Sequence, residues 1–226
     1  MNYSGTAVSE GVAIGTVYLY QRARPQIEAY SAGTPAEEAA AYDAASLAAR
    51  AELETLRERL LSAGDQEKAD IFGAHLELLT DEVMDGEIRE AIREEGLSAP
   101  QAVERVFTAY AALLSQMDDP LIREREMDLR DVCGRLLRGL AGEAEEPSLS
   151  RLPGPVILVA EDLLPSDTAA LDREHVLGIV TEVGGSTSHT AIIARSHEIP
   201  AVLGVREICR LLHTGQEIIL DAVEGT

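Results

Sequence analysis

Hydrophobic positions along this chain follow two rhythms, and the changes between them divide it into three stretches. Residues 1–20 are glycine-punctuated and rich in β-branched side chains. Val12-Ala13-Ile14-Gly15-Thr16-Val17-Tyr18-Leu19 predicts one or two strands, with Gly11 and Gly15 marking turns or a bulge. From Thr34 to Gly142 the pattern is helical, with no convincing strand. Then short apolar runs return. Pro155–Ala160, Leu177–Thr181, Ala201–Leu203 and Gln216–Asp221 predict short strands, Pro165 opens a short helix through Leu171, and Val223 is placed to begin one more strand.

The middle stretch carries its own punctuation. Thr34-Pro35-Ala36-Glu37 is a capping box with proline at the first helical position, and it opens a helix running to about Leu61. Ala63-Gly64-Asp65 ends that helix, and a second runs from Gln66 to Leu79. A third spans Asp81 to Glu95 and stops at Gly96. Ser98-Ala99-Pro100-Gln101 starts a fourth that reaches Met117; after the Asp118-Asp119-Pro120 turn, a fifth runs from Leu121 to Leu140. Short connections make these antiparallel helical hairpins, and the lack of a fixed sequence period excludes a solenoid. Gln21–Gly33 and Glu143–Pro147 have linker composition. Since α/β patterning flanks the helical block, the block is an insertion. The fold class is α/β plus all-α: an α/β subdomain of residues 1–22 and 147–226, and a helical subdomain of residues 34–142.

Candidate chemistry concentrates in Gly184-Gly185-Ser186-Thr187-Ser188-His189-Thr190-Ala191-Ile192-Ile193-Ala194-Arg195. Two glycines break the preceding strand, and the Ala/Ile run favours a helix with His189 in its first turn. The first amides of a helix lack intrahelical acceptors and lie at its positive end. An anion there would meet those amides, the hydroxyls of Thr187, Ser188 and Thr190, the backbone at Gly185, and Arg195. The same dipole disfavours an imidazolium, which keeps His189 neutral and nucleophilic. The residues alone leave two readings open: a structural histidine beside a glycine turn, or a histidine that is itself phosphorylated.

Composition narrows the alternatives. The chain has 226 residues, 46% hydrophobic but only 4% aromatic with no Trp, so its core must be built from Ala, Leu, Ile and Val. A net charge of −21 removes nucleic acid from the candidate partners, and leaves either steering of a basic protein or simple solubility. No apolar run approaches the ~20 residues of a membrane span, and no basic-plus-apolar leader is present. Cys133 and Cys209 lie far apart without metal spacing and read as buried thiols of a cytoplasmic protein. His197 follows His189 by eight residues, which is not a tight ligand spacing; His175 and His213 fall in loops, so no metal site is expected. Ser186 and Ser188 lack a Gly-x-Ser-x-Gly elbow. In the segment Leu164-Pro165-Ser166-Asp167-Thr168, Ser166 or Asp167 is placed to cap the short helix.

Residues 184–205, with Ile199-Pro200-Ala201-Val202 and Gly204 after the histidine segment, resemble the phosphohistidine segment of phosphoenolpyruvate-utilising enzymes. The helical insertion makes the whole chain most similar to the N-terminal half of the Enzyme I family of the phosphoenolpyruvate–sugar phosphotransferase system. Pyruvate phosphate dikinase, phosphoenolpyruvate synthase and multiphosphoryl transfer proteins are same-superfamily alternatives, and a non-catalytic binding module is the alternative of another class. The resemblance implies a swivelling phosphohistidine domain in which His189 carries the phosphoryl group on Nε2. It implies that Thr168 hydrogen-bonds the histidine, a hydroxyl on Nδ1 being the arrangement that leaves Nε2 free to attack phosphorus. Position 186 is often basic in the family, so Ser186 removes one phosphate contact.

The resemblance further implies that the helical subdomain docks the phosphocarrier protein HPr. Residue matching gives Glu67, Lys68, Ile71, His75, Leu78, Glu82 and Arg125 as docking candidates; periodicity alone reads Ile71, His75 and Leu78 as core. Family members continue beyond the Glu224-Gly225-Thr226 turn into a strand and a catalytic barrel. On that footing magnesium and phosphoenolpyruvate belong to a separate C-terminal domain, this chain needs no cofactor of its own, and it is monomeric while the longer protein is a homodimer.

Overall fold

Four of the apolar runs form the inner part of one sheet. In a computed structural model, which describes residues 2–22, 33–142, 149 and 152–226, the strands are β1 (Thr6–Ser9), β2 (Val12–Tyr20), β3 (Val156–Ala160), β4 (Val176–Thr181), β5 (Ala201–Leu203) and β6 (Glu217–Asp221). Their order is β1-β5-β4-β3-β2-β6. The inner strands β2, β3, β4 and β5 run parallel, while β1 and β6 close the two edges antiparallel. Parallel neighbours need a crossover, and the β2-to-β3 crossover is where the helical block is inserted.

Side-chain alternation splits the strands between two cores. Leu158, Ala160, Ile179, Ala201 and Leu203 face one side, with Leu163, Leu171, Ala191 and Ala194 packed on them. Ile157, Val159, Val180 and Val202 face the other, under Val205, Ile208, Leu212 and Leu220. Strand β3 is buried at every position, which explains why it reads as a continuous apolar run rather than an alternating one. Short helices lie between the strands: α6 (Pro165–Ala169), α7 (His189–Ser196) and α8 (Ile208–Leu211).

The chain divides into two compact units, Met1–Arg22 with Glu146–Thr226, and Ala23–Glu145. The second holds α1 (Pro35–Ser62), α2 (Gln66–Leu79), α3 (Glu82–Arg93), α4 (Ala99–Ser115) and α5 (Pro120–Ala141). Helix α1 buries Tyr42, Ala45, Ala49 and Leu53, a stripe spaced by three or four residues. Small residues on that stripe let neighbouring helices approach: a Cβ added at Gly139 of α5 would lie 3.4 Å from that of Ala45. The capping box at Thr34 is formed, with Thr34 N–H donating to Glu37 Oε2 at 2.8 Å and Glu37 N–H to Thr34 Oγ1 at 3.3 Å. Glu38 accepts from Ala99 N–H at 2.6 Å and so ties the start of α1 to the start of α4. Gly96 adopts φ +70°, and beyond it Leu97 N–H returns to Ala91 O at 3.2 Å, closing α3.

Three element expectations change. Val223 does not begin a strand: residues 222–225 form a turn that brings Thr226 N–H back to Asp221 O at 2.9 Å. Helix α8 has no counterpart in the sequence reading, because four residues are too few to show a helical period. The linkers expected at 21–33 and 143–147 fall mostly outside the described residues. Arg22, which is described, is no slack linker, since its guanidinium bonds Asp167 at 2.8 Å.

Candidate active site at the start of helix α7

The turn before α7 depends on glycine. Gly184 has φ +104°, a conformation strained for other residues, and a Cβ there would sit 3.2 Å from Ser188 Oγ. The turn delivers Ser188 to the N-cap, where its Oγ accepts from Ala191 N–H at 3.3 Å and its own N–H donates to Gly185 O at 3.0 Å. His189 is therefore the first helical residue, and Ala191 and Ala194 pin the helix to the sheet with no exposure.

Helix α6 supplies the ring's partner. Thr168 Oγ1 lies 2.8 Å from His189 Nε2 and 2.9 Å from Pro165 O. A hydroxyl has one proton, and a carbonyl only accepts. With both contacts made, Thr168 donates to Pro165 O and accepts from Nε2–H, which fixes the Nε2-protonated tautomer. This corrects the expectation that the hydroxyl would hold Nδ1. Nδ1 lies next to the histidine's own backbone, whereas a residue from a separate helix meets the distal nitrogen. Nε2 gains its lone pair only when that contact opens.

The remaining cradle candidates spread out. Gly185 and Ser188 are half-buried and Thr187 is exposed at the mouth of the turn; space is open beside the Gly185 backbone. Ser188 spends its hydroxyl on capping α7. Thr190 departs from expectation: it is 1% exposed, and its hydroxyl has no partner among the described residues, so it is not offered to an anion. Arg195 follows His189 by six residues, about 600° around the helix and about 9 Å along it. It lines an open cleft with Val8, Ser9, Glu10 and Glu198, and forms no side-chain hydrogen bond or ion pair with the described residues. The sequence reading brought Arg195 into the cradle on proximity in sequence; the helical turn carries it away from the ring.

Tyr20 and Arg22 are residues that reading missed. Both donate to Asp167, the neighbour of Thr168, from 147 and 145 residues away, a pairing with no local signal. Elsewhere His175 Nδ1 lies 2.7 Å from Asp172 Oδ2, and His213 is exposed. Burial, joined by nearby carboxylates, pushes both the Cys133 and Cys209 thiols up to about 12, so neither is a nucleophile at neutral pH.

In the helical unit Glu67, Glu82 and Arg125 are exposed, Ile71 and Leu78 are half-buried, and Lys68 pairs with Asp65 at 3.3 Å. His75 is fully buried, its Nε2 3.2 Å from Asp128 Oδ1 and its ring edge-on to Phe72. It cannot touch a partner directly. The buried stripe of α2 runs through Ala69, Phe72, His75 and Leu79, and Ile71 and Leu78 border it.

Two family profiles match successive parts of the chain. "PEP-utilising enzyme, N-terminal" covers residues 4–125, and "PEP-utilising enzyme, mobile domain" covers residues 152–225. A solved NMR solution structure of Enzyme I superposes with TM-score 0.79 at 38% identity, over 99% of this chain and 91% of that one. The chain belongs to the Enzyme I family. The phosphoenolpyruvate-protein phosphotransferase of Bacillus subtilis (strain 168) is 37% identical over 221 residues, covering 98% of this chain and 39% of the relative. That of Haemophilus influenzae is 37% identical over 225 residues, with the same coverage. This Enzyme I chain thus spans about two fifths of the length of those relatives. The N-terminal domain of Enzyme 1 - Nitrogen also superposes, with TM-score 0.57 at 27% identity over 100% of this chain and 92% of that one. Among the described residues no helix is long and apolar enough to cross a membrane.

Proposed function

We propose that this chain is the phosphoryl-carrier portion of a phosphoenolpyruvate-protein phosphotransferase. His189 accepts a phosphoryl group that originates from phosphoenolpyruvate bound, with magnesium, by a separate C-terminal domain, and hands it to a histidine of HPr. The observation that carries the reading is the 2.8 Å contact of Thr168 with His189 Nε2 at the first residue of α7, in a chain matched along its length to Enzyme I. In the transfer, a nitrogen–phosphorus bond forms at Nε2 while the bond from phosphorus to the donor breaks in line, and the donor keeps the electron pair. Before transfer the neutral ring changes tautomer: the Nε2 proton leaves to solvent and Nδ1 takes a proton up from solvent, so that Nε2 presents its lone pair. The positive end of α7 and the amides near Gly185 support the charge on the phosphoryl oxygens.

The helical unit is the HPr-docking surface in this reading, through exposed Glu67, Glu82 and Arg125 and half-buried Lys68, Ile71 and Leu78. The acidic chain suits a basic partner face. The setting is the cytoplasm, with this chain monomeric and the longer protein dimeric.

The test mixes the chain with phosphorylated HPr and looks for an acid-labile, alkali-stable phosphohistidine, with His189→Ala alongside. Transfer to the wild type and none to the variant is expected. The chain alone is expected not to react with phosphoenolpyruvate and magnesium. No transfer to the folded wild type would overturn the carrier assignment.

A further inference from the structure

We propose that Asp167 is a positioning residue for His189, clamping helix α6 through Tyr20 and Arg22 so that the Thr168 hydroxyl meets the ring in one place. The inference rests on the carrier reading of His189. Helix α6 has five residues, far too few to hold its own conformation. What fixes it is the Asp167 carboxylate, 3% exposed. Its Oδ2 accepts Leu164 N–H at 2.8 Å, which closes the first turn. Its Oδ1 accepts the Tyr20 hydroxyl at 2.6 Å, Arg22 Nη2 at 2.8 Å and Arg22 Nε at 3.2 Å. Arg22 Nη2 also donates to Ser166 Oγ at 2.9 Å.

A helix cap needs a single acceptor. Asp167 uses its second oxygen to bind donors from the end of β2, and Tyr20 is held in register opposite Ala160, the last residue of β3. The carboxylate therefore references α6 to the sheet, and the ionised guanidinium makes that bond stronger than a neutral one. Thr168 is the next residue, so any displacement of Asp167 reaches the hydroxyl at His189 Nε2 directly. That contact favours one tautomer and one ring orientation. Thr168 links the clamp to the ring, so the clamp acts on the chemistry by placement.

The experiment uses two variants of the whole chain with ¹⁵N-labelled histidine. Asp167→Asn keeps the shape but loses the charge; Tyr20→Phe removes the hydroxyl that donates to Asp167 and keeps the ring. His189 imidazole ¹⁵N shifts report the tautomer, and their pH titration reports the ring's proton affinity. In Asp167→Asn the shifts are expected to move from an Nε2-protonated pattern toward a tautomer mixture. The phosphoryl transfer rate at saturating phosphorylated HPr falls about tenfold, with the half-saturating HPr concentration unchanged. Tyr20→Phe shows the same changes at about threefold in rate. If Asp167→Asn does not fold, Tyr20→Phe decides. The proposal is overturned if folded variants keep wild-type ¹⁵N shifts and titration, even with a lowered melting temperature. If the wild type takes no phosphoryl group, the carrier reading fails while the ¹⁵N measurement still decides the clamp.

Discussion

The two units bury polar groups for different ends. In the α/β unit, Ser9 and Thr181 are buried on strands, while the other four buried polar side chains among the described residues, Ser166, Asp167, Thr168 and Thr190, belong to α6 or the first turn of α7. In the helical unit, buried His75, Asp131, Arg135 and Arg138 are spread along α2 and α5. There the partners run from helix to helix: His75 of α2 to Asp128 of α5, and Arg135 of α5 to Glu52 of α1. Buried polar groups are costly unless paired, so each cluster needs a reason. In one unit most of them gather at the start of α7, where the carrier reading places its chemistry, and in the other they hold the register of a bundle whose stripe is rich in alanine.

The largest test of this division is Ile157→Ala. Ile157 is fully buried in β3, a strand buried at every position. Removing it is expected to cost about 2–5 kcal/mol in denaturant unfolding. Native-state hydrogen exchange should show the loss in β3, β4 and β5, with protection in α1 to α5 retained. Equal loss in the helices would mean that the two cores are one cooperative system, and the comparison would fall.

The next effect separates contact from support within the docking candidates. His75→Ala opens a cavity and removes the imidazole from Asp128 Oδ1, at about 2–4 kcal/mol of stability. Glu67→Ala, on the exposed side of α2, should change stability by less than about 0.5 kcal/mol. Calorimetric titration with HPr should show the reverse order: weaker binding for Glu67→Ala, and near-normal binding for His75→Ala at temperatures where it is folded. A full loss of HPr affinity in a folded His75→Ala protein would show that the buried ring shapes the surface itself.

How far each unit was legible in the sequence follows the same line. The helices were read to within about two residues, since Thr34-Pro35-Ala36-Glu37, Asp81 and Gly96 are local signals that fold locally. Exposure was not legible. A helical period orders residues by angle, but only neighbouring helices decide that His75 is interior and Ile71 borders it. Strands β2 to β6 were legible as apolar runs, but the short edge strand β1 and the strand order were not, and α8 and the 222–225 turn were too short to carry a pattern. At the site, the glycine turn and the first-turn histidine were local and visible. Thr168 on Nε2, buried Thr190 and the departure of Arg195 depend on where α6 and α7 meet the sheet. The clamp of Asp167 by residues about 145 positions away could come only from the fold.

The smallest effect compares two helix starts. Helix α1 carries Glu37 and Glu38 in its first turn, and Glu37 closes a capping box on Thr34; α7 has no acidic residue in its first turn. One positive end is answered by carboxylates from within the chain, and in the carrier reading the other faces the incoming phosphoryl group. The Glu37 carboxyl is held below the usual glutamate value by the Thr34 backbone N–H first and the Thr34 hydroxyl second. Since folding lowers it, the box stabilises above the ordinary glutamate range and is lost as pH falls through the folded value. A carbon-detected NMR titration should place Glu37 below the ordinary value. Thr34→Ala should bring it only part of the way back, because the backbone donor survives the substitution. A complete return would assign the box to the hydroxyl alone. An undepressed Glu37 in the wild type would mean that the box is open in solution, and that the two helix starts differ less than their sequences do.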